Sequence, residues 1–383
     1  MSALTFFRGR SRGLVLGGVA VLLLAGCSSS SSSSTAAAPS ASATGASSEL
    51  TKATADWQQA QGPVSWNGPT QIVKAKPGIN LVILDCALSL EGCSIAGANA
   101  QEAAKALGWK SKVIEVADGS TYGAKFNTAL TQNPDAILTI GFEASSLPKD
   151  GLAKAKAKHI PIVDFNGGCT VGPKGCDASQ IYDVNELGRL QALALMVATG
   201  GKLNLLTFTT NELGSGHINN EATVAYLKAN CTNCVVNDTN FLLGDLATKF
   251  PAQLVSAIRT HPGSNAVLLP FDPIAGIAIP AILNAGLGSQ IKIVTNIGLK
   301  QNLQWVSQGH VQVADVVNAL DWGTWAAIDT VVRLVNKQPL QNENVPLKLM
   351  TKANAPANGI WDHDGVDFKS KYKTLWGVAA ATP

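Results

Sequence analysis

From Ile79 to about residue 335 the chain alternates between short apolar runs and stretches with helical spacing, and this alternation constrains the fold most. The apolar runs include INLVIL, AILTI and IKIVTNI, and a helix-like stretch follows each of them. Continuous apolar strands that alternate with helices are typical of parallel sheets covered on both faces. The sequence therefore predicts an α/β protein whose ligands bind beyond the carboxyl ends of the strands.

Two segments of similar sequence indicate that this alternating pattern occurs twice in the chain. Residues 129–143 (ALTQNPDAILTIGFE) and 257–272 (AIRTHPGSNAVLLPFD) both give a helix end, a proline, a buried strand, a phenylalanine and an acid. Two similar lobes would each place an aromatic ring and a carboxylate at a strand end. We expect the pairs Phe142-Glu143 and Phe271-Asp272 to line a shared cleft.

The N-terminus carries export signals. Three arginines precede an apolar run over 14–25, which is shorter than the roughly 20 residues that span a bilayer, so residues 1–26 are predicted to be a cleaved signal peptide. The sequence Leu-Ala-Gly before Cys27 resembles a bacterial lipobox, whose cysteine carries a lipid; a plain signal peptide with a chance cysteine is the alternative. Residues 27–48 are rich in serine and alanine and predict a flexible linker. Together these features predict a lipid-anchored protein on the extracytoplasmic face of a bacterial cell membrane.

The charge of the mature chain excludes one class of partner. Removal of residues 1–26 changes the formal charge of +3 to a balance of 26 basic and 26 acidic side chains. A neutral protein has no electrostatic reason to bind nucleic acid, so we expect no nucleic-acid partner. Residues 49–383 are many for a single core and suit two domains.

Six further cysteines fall into three local pairs, in the segments CALSLEGC, CTVGPKGC and CTNC. Outside the cytoplasm disulfides persist, and each segment can close on itself. A redox role for CTNC and a zinc site are the alternatives. The predicted disulfides are Cys86–Cys93, Cys169–Cys176 and Cys231–Cys234.

Six segments together resemble a known family: AAKALGW, NPDAIL, AKHIPIVDF, DVNELGR, AVLLPFD and ILNAGL. In this order the chain resembles type I periplasmic-binding proteins, the sugar-binding receptors of ABC importers, from Gly78 to about Met350. The resemblance implies an α/β fold of two doubly wound parallel-sheet lobes joined by a three-segment hinge, with crossings near Val184, Asn318 and Val345. The implied domains are an N-terminal arm (49–77) packed on the first lobe, lobe 1 (78–183 and 319–345), lobe 2 (184–318 and 346–360) and a tail with a short helix (361–383).

The same resemblance implies which residues contact ligand. It places them on the loops after the strands and at the hinge, although the loop after the first strand departs from the family through its predicted disulfide. Asn166-Gly167 also replaces the charged Asp-Arg pair that the family often uses, which favours a less polar or larger ligand than a pentose. The implied ligand-binding residues are Asp85, Phe142, Glu143, Asn166, Asn185, His217, Asn220, Phe271, Asp272, Asn296, Asn318 and Trp322.

Several of these residues have a purely structural alternative. The two phenylalanines could be ordinary core, and Trp322 could pack between helices. Asp272 could cap a helix before Pro273, because Asp-Pro is a common helix start. Asn318 could be a hinge turn, and His217 a surface residue.

The sequence favours a receptor over an enzyme. No nucleophile motif, phosphate-binding loop or metal-binding motif is visible, so we expect no catalytic residues, metal or cofactor. The expected partners are a carbohydrate or polyol, the permease of an ABC importer and its ATPase, with the protein itself monomeric. The alternatives are a receptor for a nucleoside, an aromatic or an acidic metabolite, a sensor subunit, and, as the weakest, an anchored hydrolase.

Overall fold

The computed structural model describes residues 41–142, 146–210, 212 and 214–378, with side chains from Ser48 onward. Two predicted residues, Cys27 and Glu143, therefore lie outside the described residues. Every helix in the described ranges is too short or too polar to span a bilayer.

The first sheet contains five parallel strands: β1 (Asn80–Asp85), β2 (Lys110–Glu115), β3 (Ala136–Ile140), β4 (Ile162–Phe165) and β5 (Ala178–Gln180). Their order is β2-β1-β3-β4-β5, so β1 and β3 occupy the middle of the sheet. In the register, Leu81 pairs with Ala136 and Ile137 pairs with Ile162. The apolar runs of β1 and β3 are buried because helices cover both faces.

The second sheet contains six strands: β6 (Asn204–Thr209), β7 (Val235–Asn240), β8 (Ala266–Leu268), β9 (Lys292–Ile297), β10 (Gln312–Val317) and β11 (Lys348–Thr351). Their order is β11-β10-β9-β8-β6-β7, and only the pairing of β10 with β11 is antiparallel. Strand β8 is short, and Pro270 follows it closely. Proline has no N–H to donate, so it cannot continue the hydrogen bonds between neighbouring strands.

Eleven helices complete the described chain: α1 (Ala41–Gln59), α2 (Glu91–Ala106), α3 (Tyr122–Thr131), α4 (Lys149–Ala157), α5 (Val184–Ala198), α6 (Gly214–Asn230), α7 (Phe250–Thr260), α8 (Asp272–Asn284), α9 (Lys300–Gln308), α10 (Leu320–Val335) and α11 (Phe368–Leu375). Helices α2, α10 and α11 cover one face of the first sheet, and α3 and α4 cover the other. Helices α1, α5 and α6 cover one face of the second sheet, and α7 and α8 cover the other. We call the first sheet with its helices the first lobe, and the second sheet with its helices the second lobe.

Between β1 and β11 the chain passes between the lobes three times. The passages lie between Gln180 and Val184, between Val317 and Leu320, and between Val335 and Lys348. At the first passage the side chain of Asp183 accepts hydrogen bonds from the backbone amides of Asn185 and Glu186 and so caps α5. The predicted fold of two parallel-sheet lobes joined by a three-segment hinge is confirmed.

The N-terminal segment differs from its prediction. Helix α1 begins at Ala41, inside the stretch predicted to be linker, and packs on α5 of the second lobe rather than on the first. The reason is that it presents Ala53 and Trp57 to the apolar surface of α5. Only the following residues, including Trp66 and Val73, reach the first lobe, so this arm joins both lobes.

The C-terminal segment also joins the lobes. Strand β11 belongs to the second sheet, whereas α11 packs on the first lobe through Leu375 and Trp376. The indole ring of Trp376 stacks on that of Trp325 at 5.4 Å. Both chain ends therefore connect the lobes in addition to the hinge.

Candidate functional site

The cysteines join as their local spacing predicts, and two of the three disulfides brace loops at the carboxyl end of the first sheet. Cys86–Cys93 links the end of β1 to α2, and Cys169–Cys176 closes the loop between β4 and β5. Cys231–Cys234 lies just before β7, the outermost strand of the second sheet, and therefore at the amino end of that strand. The first two pairs therefore shape loops that face the site.

Two predicted site residues follow central strands of the first sheet. Phe142 comes after β3; it is half-buried, and its ring lies 5.1 Å from that of Tyr122. Asn166 comes after β4 and has φ 56°, a left-handed conformation that asparagine adopts more readily than most residues. The chain can therefore turn directly at the strand end and leave the Asn166 amide there.

Two predicted asparagines lie at the carboxyl end of the second sheet. Nδ2 of Asn220, in α6, donates to the carbonyl oxygen of Phe208 and to Oγ1 of Thr209, each at 2.9 Å. Nδ2 of Asn296, in β9, donates to the carbonyl oxygen of Pro270 at 2.7 Å. In both side chains the amide nitrogen is held by the protein, which fixes the direction of the oxygen.

The two lobes approach each other closely around these positions. A Cβ atom placed on Gly214 in α6 would lie 2.8 Å from the carbonyl oxygen of Gly167, in the loop after β4. A Cβ atom on Gly216 would lie 3.0 Å from the ring of Phe271, which is half-buried at the start of α8. Glycine at both positions of α6 lets its first turn come close to a first-lobe loop and to an aromatic ring.

The hinge contributes a buried polar group of its own. The Tyr182 hydroxyl lies 3.1 Å from Oδ1 and 2.7 Å from Nδ2 of Asn219, and the Asn318 side chain also hydrogen-bonds it. Burial raises the pKa of Tyr182 to about 12, so the phenol stays neutral. This contact joins two hinge passages to helix α6.

Four of the predicted asparagines share one unusual property. Oδ1 of each is buried and has no hydrogen-bond partner among the described residues, and the four side chains come from both lobes and the hinge. Buried polar atoms are nearly always paired, so a group of unpaired acceptors at one edge requires an explanation. Amide oxygens accept hydrogen bonds from hydroxyl groups, which a polyhydroxylated ligand supplies. These residues are Asn166, Asn220, Asn296 and Asn318.

Asp85 is buried at the end of β1, against helix α2. A Cβ atom on Gly97 would lie 2.0 Å from its Oδ2, and no side chain among the described residues hydrogen-bonds either carboxyl oxygen, although the backbone amide of Cys86 is close enough to lower the pKa of Asp85 slightly. Burial, with a smaller effect of Glu115, raises the pKa of Asp85 to about 7. Its carboxyl lies within 4.8 Å of the sulfurs of Cys86 and Cys93, but a disulfide already occupies those sulfurs, so the trio is not a ligand set for a metal.

Asp272 has a different role from the predicted ligand contact. Its Oδ1 accepts from Thr295 Oγ1 at 2.5 Å, and its Oδ2 accepts from the backbone amides of Gly298 at 2.8 Å and Leu299 at 2.7 Å. The residue is fully buried, and burial raises its pKa to about 6. Because both oxygens are used within the protein, Asp272 holds the loop after β9 rather than a ligand.

Asp164 does the same in the first lobe. Its Oδ1 accepts from Thr139 Oγ1, and its Oδ2 accepts from the amides of Gly167 and Cys169 and from Ser179 Oγ, at 3.1 to 3.2 Å. Burial raises its pKa to about 6. This carboxyl holds the loop that carries Asn166, and the prediction did not include it.

Trp322 lies in the core of the first lobe instead of at the cleft. Its ring stacks between Trp66 at 5.7 Å and Phe368 at 5.1 Å, and its exposed fraction is 0%. The N-terminal arm and the tail cover both faces of the ring, so no face is available to a ligand. Trp322 therefore packs in the core, which was the structural alternative to its predicted ligand contact.

Two further predicted residues point to solvent. Asn185 is exposed in the first turn of α5. His217 is exposed and lies 3.1 Å from Glu221 on the same helix. The structure thus places Asn166, Asn220, Asn296, Asn318 and the two phenylalanines at the carboxyl ends of the two sheets or at the hinge, whereas Asn185 and His217 are exposed and Trp322 lies in the core.

The sequence did offer a signal for two buried acids that the prediction left out. Asp164 and Asp315 interrupt otherwise apolar strand runs, IPIVDF and VQVADVV. Burial raises the pKa of Asp315 well above its usual value, and the neighbouring Asp272 raises it further. A charge inside a buried strand marks a polar network. In contrast, nothing local pairs Tyr182 with Asn219, because that contact depends on how α6 packs.

A cavity of about 200 Å³ adjoins the hinge and was not predicted. The loop after β9, the start of α10, the start of α2 and the tail form its walls. Inside it, Nε2 of His363 lies 3.1 Å from Oδ1 of Asp321. Burial alone would raise the pKa of Asp321, but His363 and the amide of Trp322 lower it below its usual value.

Solved structures with the same fold have low sequence identity to this chain. An ABC sugar transporter subunit from Rhodobacter sphaeroides has a TM-score of 0.65 at 17% identity, over 73% of this chain and 99% of its own. An ABC transporter periplasmic solute binding protein from Actinobacillus succinogenes with bound D-allose has a TM-score of 0.65 at 18% identity, over the same shares. The 5-methylthioribose transporter solute binding protein from Thermotoga lettingae has a TM-score of 0.65 at 18% identity, over 80% of this chain and 99% of its own.

Sequence comparison gives the family directly. No curated protein sequence matches the chain. Residues 90–339, which include most of both lobes and two of the three passages between them, match the sequence profile described as the periplasmic binding protein domain. The chain therefore belongs to the periplasmic binding protein domain family.

Proposed function

We propose that this protein captures a sugar or polyol between its lobes and delivers it to an ABC importer. The observation that carries the proposal is the set of four buried, unpartnered amide oxygens, on Asn166, Asn220, Asn296 and Asn318. Hydroxyl groups of a ligand would satisfy acceptors that otherwise cost about 1–3 kcal/mol each. Phe142 and Phe271, both half-buried beside this set, offer rings to the apolar face of a sugar.

The family and the fold neighbours support the same role. The family consists of solute-binding proteins, and the neighbouring structures hold D-allose, 5-methylthioribose and allitol. Hinge motion around the three passages would close the lobes on the ligand, and the closed form would be the one that a permease and its ATPase engage. In this role the protein makes and breaks no bond in its ligand, and it acts as a monomer.

A screen by thermal unfolding tests the proposal. The purified protein is heated with aldoses, polyols, nucleosides, aromatic acids and small organic acids in turn. A ligand at 100 times its dissociation constant should raise the free energy of unfolding by about 2.7 kcal/mol and the melting temperature by several degrees. Stabilisation by a sugar or polyol is the expected result; stabilisation only by an aromatic or acidic compound would contradict it.

We also propose that a lipid on Cys27 anchors the protein to the outer face of the cell membrane. The support is the lipobox-like sequence that ends at this cysteine. Expression of Cys27→Ser should move the protein from the membrane fraction to the soluble extracytoplasmic fraction, with its ligand affinity unchanged. Retention of the variant in the membrane fraction would contradict a lipid anchor at this residue.

A further inference from the structure

The cavity beside the hinge is apolar over most of its wall. Its apolar lining comes from α2, from the end of β9 and the loop after it, from α10 and from the tail: Ile95, Ile297, Leu299, Leu320 and Trp361. Leu299 is 4% exposed, whereas Ile360 of the tail is 58% exposed and lies at the rim. Such a surface favours an apolar group over a hydroxylated one.

The charged groups of the cavity do not select an ion. Asp321 and His363 are paired with each other at 3.1 Å. The two remaining charges, Glu91 and Lys300, are exposed and have opposite signs. The carboxylate of Asp321 thus already has a partner within the protein, and Glu91 and Lys300 are solvated at the rim, so the occupant should be neutral.

The cavity is continuous along the chain with the group of unpartnered amides. Val317 and Ala319 line it and flank Asn318, and Ile297 lines it and directly follows Asn296. In the sheet, Val317 of β10 pairs with Ile297 of β9, and the backbone amide of Asn318 donates to the carbonyl oxygen of Ile297 at 3.4 Å, so the cavity wall and the backbone that carries both amides meet at this point. The cavity thus extends the proposed site rather than forming a separate one.

Two of the residues in the wall have costly backbone conformations. Ile297 has φ 125°, which is an outlier for a β-branched residue, and Ala319 has φ 35°. Asp272 holds the adjacent Gly298 and Leu299 amides, so the surroundings keep the β9 loop in this shape. Strain that the surroundings maintain is typical of ligand-binding sites.

We propose that the ligand is a sugar or polyol bearing a neutral apolar substituent, and that this cavity binds the substituent. The inference rests on the proposed function, because the hydroxylated part must occupy the amide-lined cleft. The size fits, since the cavity measures about 200 Å³ and about 150 Å³ is enough to hold benzene. An aryl or short alkyl group is therefore the class of substituent expected.

The test compares free and substituted sugars by calorimetric titration of the purified protein. The probes are D-ribose, D-xylose, D-glucose and D-allose, each with its butyl and phenyl glycosides in both anomeric forms. For at least one sugar, a glycoside should bind at least about tenfold more tightly than the free sugar, because burial of a few methylene groups is sufficient for that ratio.

Variants of the cavity wall connect this preference to the site. Ile95→Phe fills the cavity and should abolish the preference while leaving the affinity for the free sugar unchanged. Ile360→Ser removes apolar wall at an exposed position that folding does not require, and should reduce the preference severalfold. Ile72→Phe, at a position that is 66% exposed outside the cavity, is the matched control and should change nothing.

Three outcomes overturn the inference, and one of them can also remove the proposed function. Equal binding of free sugars and glycosides, or a preference that survives both wall variants, contradicts the cavity assignment alone. No binding of any probe, substituted or free, contradicts the inference, and it contradicts the proposed function as well when no sugar or polyol stabilises the protein in the thermal screen.

Discussion

Asparagine occurs four times at the site, and in two of these residues the amide nitrogen and the amide oxygen have different roles. In Asn220 and Asn296 the amide nitrogen is hydrogen-bonded to the protein while the amide oxygen has no partner among the described residues. Because the protein already fixes the orientation of this amide, a ligand hydroxyl can bind without the entropy cost of ordering the side chain.

This arrangement predicts a loss of affinity without a loss of stability. Asn296→Ala and Asn318→Ala should each weaken sugar binding by about 10- to 100-fold, because a ligand hydroxyl would lose its acceptor. Neither change should lower the melting temperature of the free protein by more than about two degrees, because the lost hydrogen bond to Pro270 or Tyr182 is offset by removal of a buried amide oxygen that has no partner. Asn185→Ala, on the solvent face of α5, is the control and should bind as the natural protein does. Equal losses in all three variants would contradict the assignment of the site.

The buried acid at the end of β1 predicts an unusual pH dependence. Burial raises the folded-state pKa of Asp85 from 3.8 to about 7, so its contribution to stability is complete below pH 4 and is lost as the pH rises through 7. Asp85→Asn removes this titration, and should be more stable than the natural protein by about 2–4 kcal/mol at pH 8, with the difference shrinking toward pH 4. Urea unfolding at pH 4, 6 and 8 measures it. A variant that is less stable at pH 8 would show that the hydrogen bond from the backbone amide of Cys86 to the charged carboxylate outweighs the effect of burial.

At the scale of elements, the strand predictions were the most accurate part of the sequence analysis. AILTI was predicted as a strand and forms β3 at the same residues, because a fully buried parallel strand needs an unbroken apolar run. Strands β5 (ASQ) and β11 (KLMT) were missed, since the first is mostly polar and Lys348 interrupts the apolar residues around the second.

The site was predictable only in part, for a related physical reason. Asn166 and Asn318 follow strand ends, so parallel topology alone places them at the correct edge. Trp322 also follows a strand end, but its ring points into the core because the arm and the tail pack on α10. Which face of a helix becomes buried there depends on segments distant in sequence, and local pattern does not encode it.

The disulfides allow a comparison between elements near to and far from the site. Each short loop should contribute about 2 kcal/mol to the free energy of unfolding. Replacement of both Cys169 and Cys176 by serine should also weaken sugar binding. The reason is that Asp164 accepts from the amides of Cys169 and Gly167, and so holds this loop together with the turn that carries Asn166. Replacement of Cys231 and Cys234, at the far edge of the second sheet, should reduce stability alone. Calorimetric titration and urea unfolding of both double variants separate the two effects, and equal affinity in both variants would contradict the proposed role of the first loop.

At the scale of the whole molecule, the chain ends fasten the lobes together near the hinge. Asp364 of the tail accepts hydrogen bonds from Lys348 of β11, from the amide of Val64 in the N-terminal arm and from Trp361. These partners outweigh the effect of burial and lower the pKa of Asp364. One carboxylate thus links the second sheet to both terminal segments.

Loss of the Asp364 carboxylate should lower the free energy of unfolding. Asp364→Asn leaves Lys348, whose side chain is 6% exposed, without its counter-charge and should destabilise the protein by about 2–4 kcal/mol at pH 7. Because the folded-state pKa is lowered, the difference should disappear as the pH falls below about 4. Glu102→Gln breaks the surface pair with Lys369 and should cost less than 1 kcal/mol. Similar losses in the two variants would show that the tail does not depend on this contact.

The central claim, that the cleft binds a sugar or polyol and releases it unchanged, is tested most directly by one calorimetric titration followed by chemical recovery. The purified protein is titrated with the most stabilising sugar or polyol from the thermal screen, and the ligand is then released by denaturation and identified. The account predicts one bound molecule per chain, recovered intact, with the affinity weakened about 10- to 100-fold in Asn318→Ala. A ligand recovered in altered form, or binding that is unaffected by Asn318→Ala and Asn296→Ala, would contradict it.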